Sequence, residues 1–316
     1  KGLTLGAVFE MELHKFAADV EEIINESAQE AKIENEVAKI EATWRDNNLE
    51  TINYMNQSGQ VRGKILKPAE ELKIELEDNM LNIQTISASR FVGIFIDAVK
   101  KWEKALNVVA ECLEVWFVVQ KKWAYLEGIF IGAEDIRMQL PEEAKRFDSI
   151  DKAFKAIMTL TVNHPNVMDA CTGNDRLENL TKLGERLDSC QKSLSDYLDT
   201  KRTAFPRFFF ISDDELLSVL GSSDPTAIQI HLLKLFDNVK EFTFGRNNKI
   251  VEAMKSSEKE SFSLVTPATV DGPVETWMTS CEDEMHASLR DITKEGVFVY
   301  AQYGRCEWLT KVLGMT

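Results

Sequence analysis

The nearest approach to a phosphate-binding loop in this 316-residue sequence runs from Gly59 to Lys64, which reads G-x-x-x-G-K and is followed by Ile65. It is one residue short of G-x-x-x-x-G-K-[ST] and lacks the hydroxyl that would hold magnesium, so it reads as a plain loop. His14, His164, His231 and His286 lie far apart with no H-x-x-x-H or H-E-x-x-H spacing, which leaves a metal site without local support. Each histidine reads as a surface or capping residue. Cys112, Cys171, Cys190, Cys281 and Cys306 are odd in number and lack C-x-x-C spacing, which argues against a disulfide framework or a zinc site and for a reducing compartment. Cys281 and His286 are five apart, on different helical faces, and make a poor nucleophile–base pair. No G-x-S-x-G elbow or G-x-G-x-x-G loop occurs. The expectation is a chain with no catalytic site, cofactor or metal of its own, although distant groups can converge and a helical enzyme stays open as an alternative.

Charge and composition narrow the partners. With 37 Lys and Arg against 52 Asp and Glu, the net charge of -15 repels polyanions and argues against nucleic acid. The 44% apolar content supports a sizeable core rather than disorder. The most apolar run, VWFVV at 115–119, is flanked by Glu and Lys and is far too short to cross a bilayer, so no membrane partner is expected. N-x-[ST] matches at Asn25, Asn56 and Asn179 read as chance, because no signal peptide opens the sequence. The start at Lys1 and the end at Thr316 read as cut from a longer protein.

The elements that must position these residues are mostly helical. Phe9, Leu13, Phe16, Val20 and Ile24, then Ile33, Val37, Ile40 and Trp44, recur three or four apart and predict one helix over about 7–56, packed against the rest of the domain. SGQVRGKILKP at 58–68 breaks it with Ser58, Gly59, Gly63 and Pro68, as a turn or small strand pair. Helix resumes over 79–131 in two pieces divided near residues 87–90. Leu106, Val109, Leu113, Trp116, Gln120, Trp123 and Glu127 form one row, so Trp102, Trp116, Phe117, Trp123, Tyr125 and Phe130 read mostly as core. After Gly132, Pro141 with Glu142 and Glu143 opens a helix to about Thr161. Residues 163–175 are a break around Pro165 and Gly173, and Leu177, Leu180, Leu183, Leu187, Leu194 and Leu198 spell a helix ending near Lys201 and Arg202. FPRFFFIS at 205–212 reads as extended, Ser212 and Glu215 as a capping box, and Asp224–Pro225 as a further helix start. Residues 249–270 alternate around a polar turn as a β-hairpin, and Gly272 and Pro273 open a last helix pair containing Trp277 and Trp308. The fold class is mainly α with a small β-hairpin.

Long strings then point to a family. WFVVQKKWAYLEGIF at 116–130 and DIRMQLPEEAKRF at 135–147 resemble the dynein heavy-chain linker, and 187–220 contains its K-R-x-x-F-P-R-F-[FY]-F segment, followed by HLLKLFDNVKEFTF. LEDNMLNIQTISASRF at 76–91 and VETWMTSCEDEM at 274–285 extend the likeness over nearly the whole chain, and its character is axonemal. The resemblance implies an elongated rod of packed antiparallel helical bundles, one linker domain over 1–316 with possible sub-bundles 1–162, 176–220 and 225–316. It implies a lever that bends and straightens over the AAA-type ATPase ring of the same heavy chain, joined on its N-terminal side to the cargo-binding tail. ATP and magnesium would belong to that ring, and the location would be the cytoplasmic cytoskeleton, in the axoneme of a cilium or flagellum. The acidic balance argues against direct microtubule contact by this segment. A lever needs defined bending points, and Asn163, Pro165 and Gly173 in one break, with Gly221 and Pro225 in another, are the candidates. Phe208, Phe210 and Phe262 are candidates for docking on the ring. A passive helical scaffold or tether is the alternative; it predicts an internal repeat, and none is found.

Overall fold

The computed structural model describes residues 4–56, 59–131 and 134–313. Ser58 and Gly132, expected as helix breaks, lie outside them, as does the side chain of His14. The chain divides into two compact units, Lys1–Tyr125 with Ser149–Leu187, and Leu126–Asp148 with Asp188–Thr316. It is mainly helical with two small antiparallel sheets.

The first unit begins with α1 (Leu5–Glu10), a 3-10 turn at Leu13–Phe16 and α2 (Ala17–Asp46). The single helix expected over 7–56 is therefore interrupted twice. Glu12 takes a left-handed φ of 48°, and Asn47 turns extended and ends α2. Beyond it Thr51–Met55 forms strand β1, paired antiparallel with β2 (Val61–Leu66) from Thr51↔Leu66 to Met55↔Val61. Helical periodicity extended too far here because Asn47 and Asn48 are turn formers and TINYM favours a pleated surface. Next come α3 (Glu70–Ser87), with Glu70 and Glu71 at the positive end of its dipole, and α4 (Ile96–Phe130), divided where the sequence suggested.

The row along α4 is core, as its spacing implied: Leu106, Val109, Leu113, Trp116 and Trp123 are buried. Trp123 stacks on Phe154 at 4.6 Å, meets Tyr54 edge-on at 5.0 Å and donates from Nε1 to Asp151 at 3.1 Å. Gln120 closes the β-hairpin onto α4, its Nε2 donating to the Leu66 carbonyl at 3.0 Å while its Oε1 accepts from the Leu66 amide at 2.8 Å. α5 (Glu134–Gln139), α6 (Pro141–Asn163), α7 (Val167–Thr172) and α8 (Arg176–Ala204) come next in the chain. α4, α6 and α8 each contribute residues to both units.

In the second unit Phe130 stacks on Phe147 at 5.5 Å. Pro206–Phe210 is a 3-10 turn rather than the extended segment expected, because Pro206 presets its first residue and Phe208 folds inward against Phe205 at 4.9 Å. α9 (Asp213–Leu220) opens on the expected Ser212–Glu215 capping box, and a 3-10 turn at Pro225–His231 leads into α10 (Leu232–Leu235). The sheet has three strands, β3 (Val239–Gly245), β4 (Ile250–Ser256) and β5 (Ser261–Thr269), in the order β3-β4-β5. The hairpin expected over 249–270 is β4–β5. β3 went unread because an irregularity between Val239 and Glu241 disturbs its alternation. α11 (Val274–Tyr300) packs on β5, where Ser288 Oγ accepts from the Val265 amide at 2.9 Å, and α12 (Arg305–Leu313) carries Trp308, whose Nε1 donates to the Gly296 carbonyl at 2.7 Å. His231, expected as a surface or capping residue, stands at the N-cap position of α10 and is buried, with Nδ1 3.6 Å from Glu215 Oε1.

Candidate hinge and docking sites

The break between α6 and α8 is built around Asn166, which its sequence pattern alone did not single out. Asn166 Oδ1 accepts from the Met168 and Asp169 amides at 3.0 and 3.2 Å and caps α7. Its Nδ2 donates to the carbonyls of Trp44, Arg45 and Asn47, at 3.2, 2.9 and 3.3 Å, and so closes the end of α2 as well. Backbone bonds complete the strap: Leu49 N–H donates to the Pro165 carbonyl at 2.7 Å, and Val167 N–H to the Asn47 carbonyl at 3.0 Å. Asn163 and Pro165 are exposed at its edge. Gly173 sits where a Cβ would stand 2.7 Å from the Asp169 carbonyl, so any side chain there forces a backbone shift. The usable signal was Asn166 three residues before Asp169, an N-cap pattern hidden behind the more conspicuous proline.

Behind this break two cysteines far apart in sequence face each other in the core. Cys171 is pushed up by its hydrogen bond to Cys112 and by burial. Arg176 lies beside them, with Nε donating to the Ala170 carbonyl at 3.0 Å and its guanidinium 5.4 Å over the Trp116 ring. Burial holds that guanidinium below its ordinary value.

The second break is a tight turn. Gly221 N–H donates to the Leu217 carbonyl at 2.8 Å, and Asp224 Oδ1 accepts from the Thr226 amide at 3.0 Å with Pro225 between them. Gly221 and Pro225 therefore stand in the second unit, and Asn163, Pro165 and Gly173 in the first. Pro225 lines a cleft of about 510 Å³ with Ser222, Gly272 and Trp277, where Lys201 Nζ meets Glu275 Oε1 at 2.5 Å.

Glu215 ties the capping box of α9 to α10. Its carboxylate accepts from Lys234 Nζ at 2.6 Å and from the Ser212 amide at 3.0 Å, and these bonds, Lys234 first, hold it down at about 2. A depressed carboxyl stabilises the fold above its ordinary value of 4.5, and that contribution is lost as pH falls toward 2. Glu215→Gln is expected to lower Tm at neutral pH and to flatten the acid limb of Tm against pH between those two values. Parallel acid limbs in the two proteins would exclude Glu215 as the source.

The three candidate docking aromatics separate. Phe208 is fully buried, which removes it from any surface role. Phe210 is 68% exposed, and its neighbour Phe209, absent from the expected set, is 64% exposed. A turn with three residues per revolution that points Phe208 inward must point the next two outward. Phe262 is half-buried in a cleft of about 350 Å³ with Phe236, Met254, Met285 and Leu289.

At the near-loop, Gly63 and Lys64 pair with Tyr54 and Asn53 in the β1–β2 ladder, so this stretch is a strand and does not open onto a helix N-terminus. Among the described residues no group of three or more His, Cys, Asp or Glu could hold a metal ion, and no helix is long and apolar enough to cross a membrane.

The family model described as dynein heavy chain, N-terminal region 2, matches residues 1–296. The chain belongs to the dynein heavy chain family. It is 50% identical over 315 residues to the Dynein-1-alpha heavy chain of the flagellar inner arm I1 complex of Chlamydomonas reinhardtii, covering 100% of this chain and 7% of that protein. It is 47% identical over 316 residues to Dynein axonemal heavy chain 10 of Homo sapiens, covering 99% and 7%. It is 37% identical over 314 residues to the dynein beta chain of the flagellar outer arm of Chlamydomonas reinhardtii, covering 96% and 7%. This dynein heavy-chain segment thus spans 7% of the length of these relatives.

Proposed function

We propose that this segment is the mechanical linker of an axonemal dynein, bending and straightening over the AAA-type ring of its own heavy chain to drive movement along microtubules. The observation that carries this reading is the match of residues 1–296 to the N-terminal region of dynein heavy chains. ATP and magnesium are handled in the ring, the cargo-binding tail lies on the N-terminal side, and the location is the axoneme, consistent with the flagellar and axonemal names of the relatives. The net charge of -15 weighs against nucleic acid and against direct contact with the acidic microtubule surface.

A lever must carry force through packed cores and yield at few places. The rings around Trp123 and Phe154 supply such a core, and the Asn163–Asp175 break, held by the Asn166 strap, is the yielding point we favour. Gly221–Pro225 is the second. Phe210 and Phe209 on one surface, and Phe262 in its cleft, are the anchors for the ring.

Asn48 and Asn166 form an antiparallel bridge, a pairing whose Cα separation of roughly 4.5–5.5 Å suits a disulfide. In the complete motor, Asn48→Cys with Asn166→Cys, and a second engineered disulfide across Gly221–Pro225, are expected to slow microtubule gliding when oxidised relative to the same variants reduced. Unchanged velocity with both breaks locked would remove them from the stroke and leave the tether reading in place.

A further inference from the structure

α2 carries two apolar faces, and the first unit uses one of them. Its C-terminal half buries Ile33, Ile40 and Trp44, and Asn82 on α3 donates to Glu36 at 3.2 Å. Its N-terminal half buries nothing: Ile23 and Ile24 are 64% and 60% exposed, and Phe16 at its start is 58% exposed. At about 100° per residue, Val20, Ile23, Ile24, Ser27, Ala28 and Ala31 fall on one face, about two fifths of a turn from the buried row. Asp19, Glu26 and Glu30 edge this face on one side and Glu21 on the other, with no basic residue between Lys15 and Lys32.

We propose that this half of α2 is a docking face for an amphipathic helix supplied by another part of the same heavy chain, carrying Lys and Arg beside its apolar row. Acidic residues along both edges, with no base among them, select a basic partner. Large apolar residues giving way to Ser and Ala along the face suit a helix that closes in as it runs along α2. The source is the heavy chain itself, because this segment spans 7% of its relatives' length and a tethered helix meets the face at a far higher effective concentration than a free protein does. The lever reading is not needed for it.

The test is made in the intact dynein complex with a photo-crosslinking residue, Ile24→p-benzoylphenylalanine, followed by digestion and mass spectrometry. The expected product joins residue 24 to a heavy-chain helix outside residues 1–316 with Lys or Arg flanking apolar positions. A product with a different polypeptide, or no product while residue 24 is labelled by solvent probes, overturns the proposal. Glu26→Lys with Glu30→Lys, which reverses two charges along one edge of the face, is expected to cut the yield about threefold. An unchanged yield overturns the basic occupant. The readout is a covalent product and not motility, so it fails independently of the lever.

Discussion

Trp123→Ala is expected to destabilise the first unit by about 3–5 kcal/mol, the range for deleting a fully buried indole. The ring is wholly enclosed, stacked on Phe154, edged by Tyr54 and hydrogen-bonded through Nε1 to Asp151. Its loss opens a cavity between α4, α6 and the β-hairpin and removes one donor from Asp151, which keeps Lys155 at 2.7 Å. Trp123→Phe should cost less than alanine, since it refills part of the volume without restoring the donor. The urea midpoints of the two variants measure this, and an alanine variant within about 1 kcal/mol of the parent would mean that the hairpin is not fastened through this ring.

Lys201→Met is the second large effect, expected to cost about 3–5 kcal/mol, because it leaves the buried Glu275 carboxylate without its ammonium. Both side chains are mostly enclosed, and the nearby Tyr197 phenol is pushed up to about 12 by burial and by the Glu275 charge. The pair joins the last turn of α8 to the first turn of α11, so its loss should be read in the second unit. Lys201→Met with Glu275→Leu should recover most of the stability, as replacing a buried pair by apolar groups of similar size is often near neutral. If the single variant is neutral, or the double variant is as unstable as the single, the charge argument fails.

The long helices and their core rows could be read from periodicity because one residue type at one spacing decides them, as with Leu106, Val109, Leu113 and Trp116 along α4. Local cap chemistry was equally legible at Ser212 and Glu215, which close the expected capping box. The misreadings came where neighbours in space overrode neighbours in sequence. Residues 51–55 continue a helical rhythm but pair with β2, and FPRFFFIS looks like a strand until Phe208 is drawn into the core. The break at 163–175 was visible from Pro165 and Gly173, whereas Asn166 drew no notice because three of its partners are about 120 residues away. Phe262 and Phe210 looked alike in sequence and ended in different surroundings, which only packing could decide.

Because one amide side chain terminates α2 and starts α7, fraying at either helix end must release the other. The two ends therefore share a single opening equilibrium, and a disturbance entering at one of them is felt at the other with no intervening chain to dilute it.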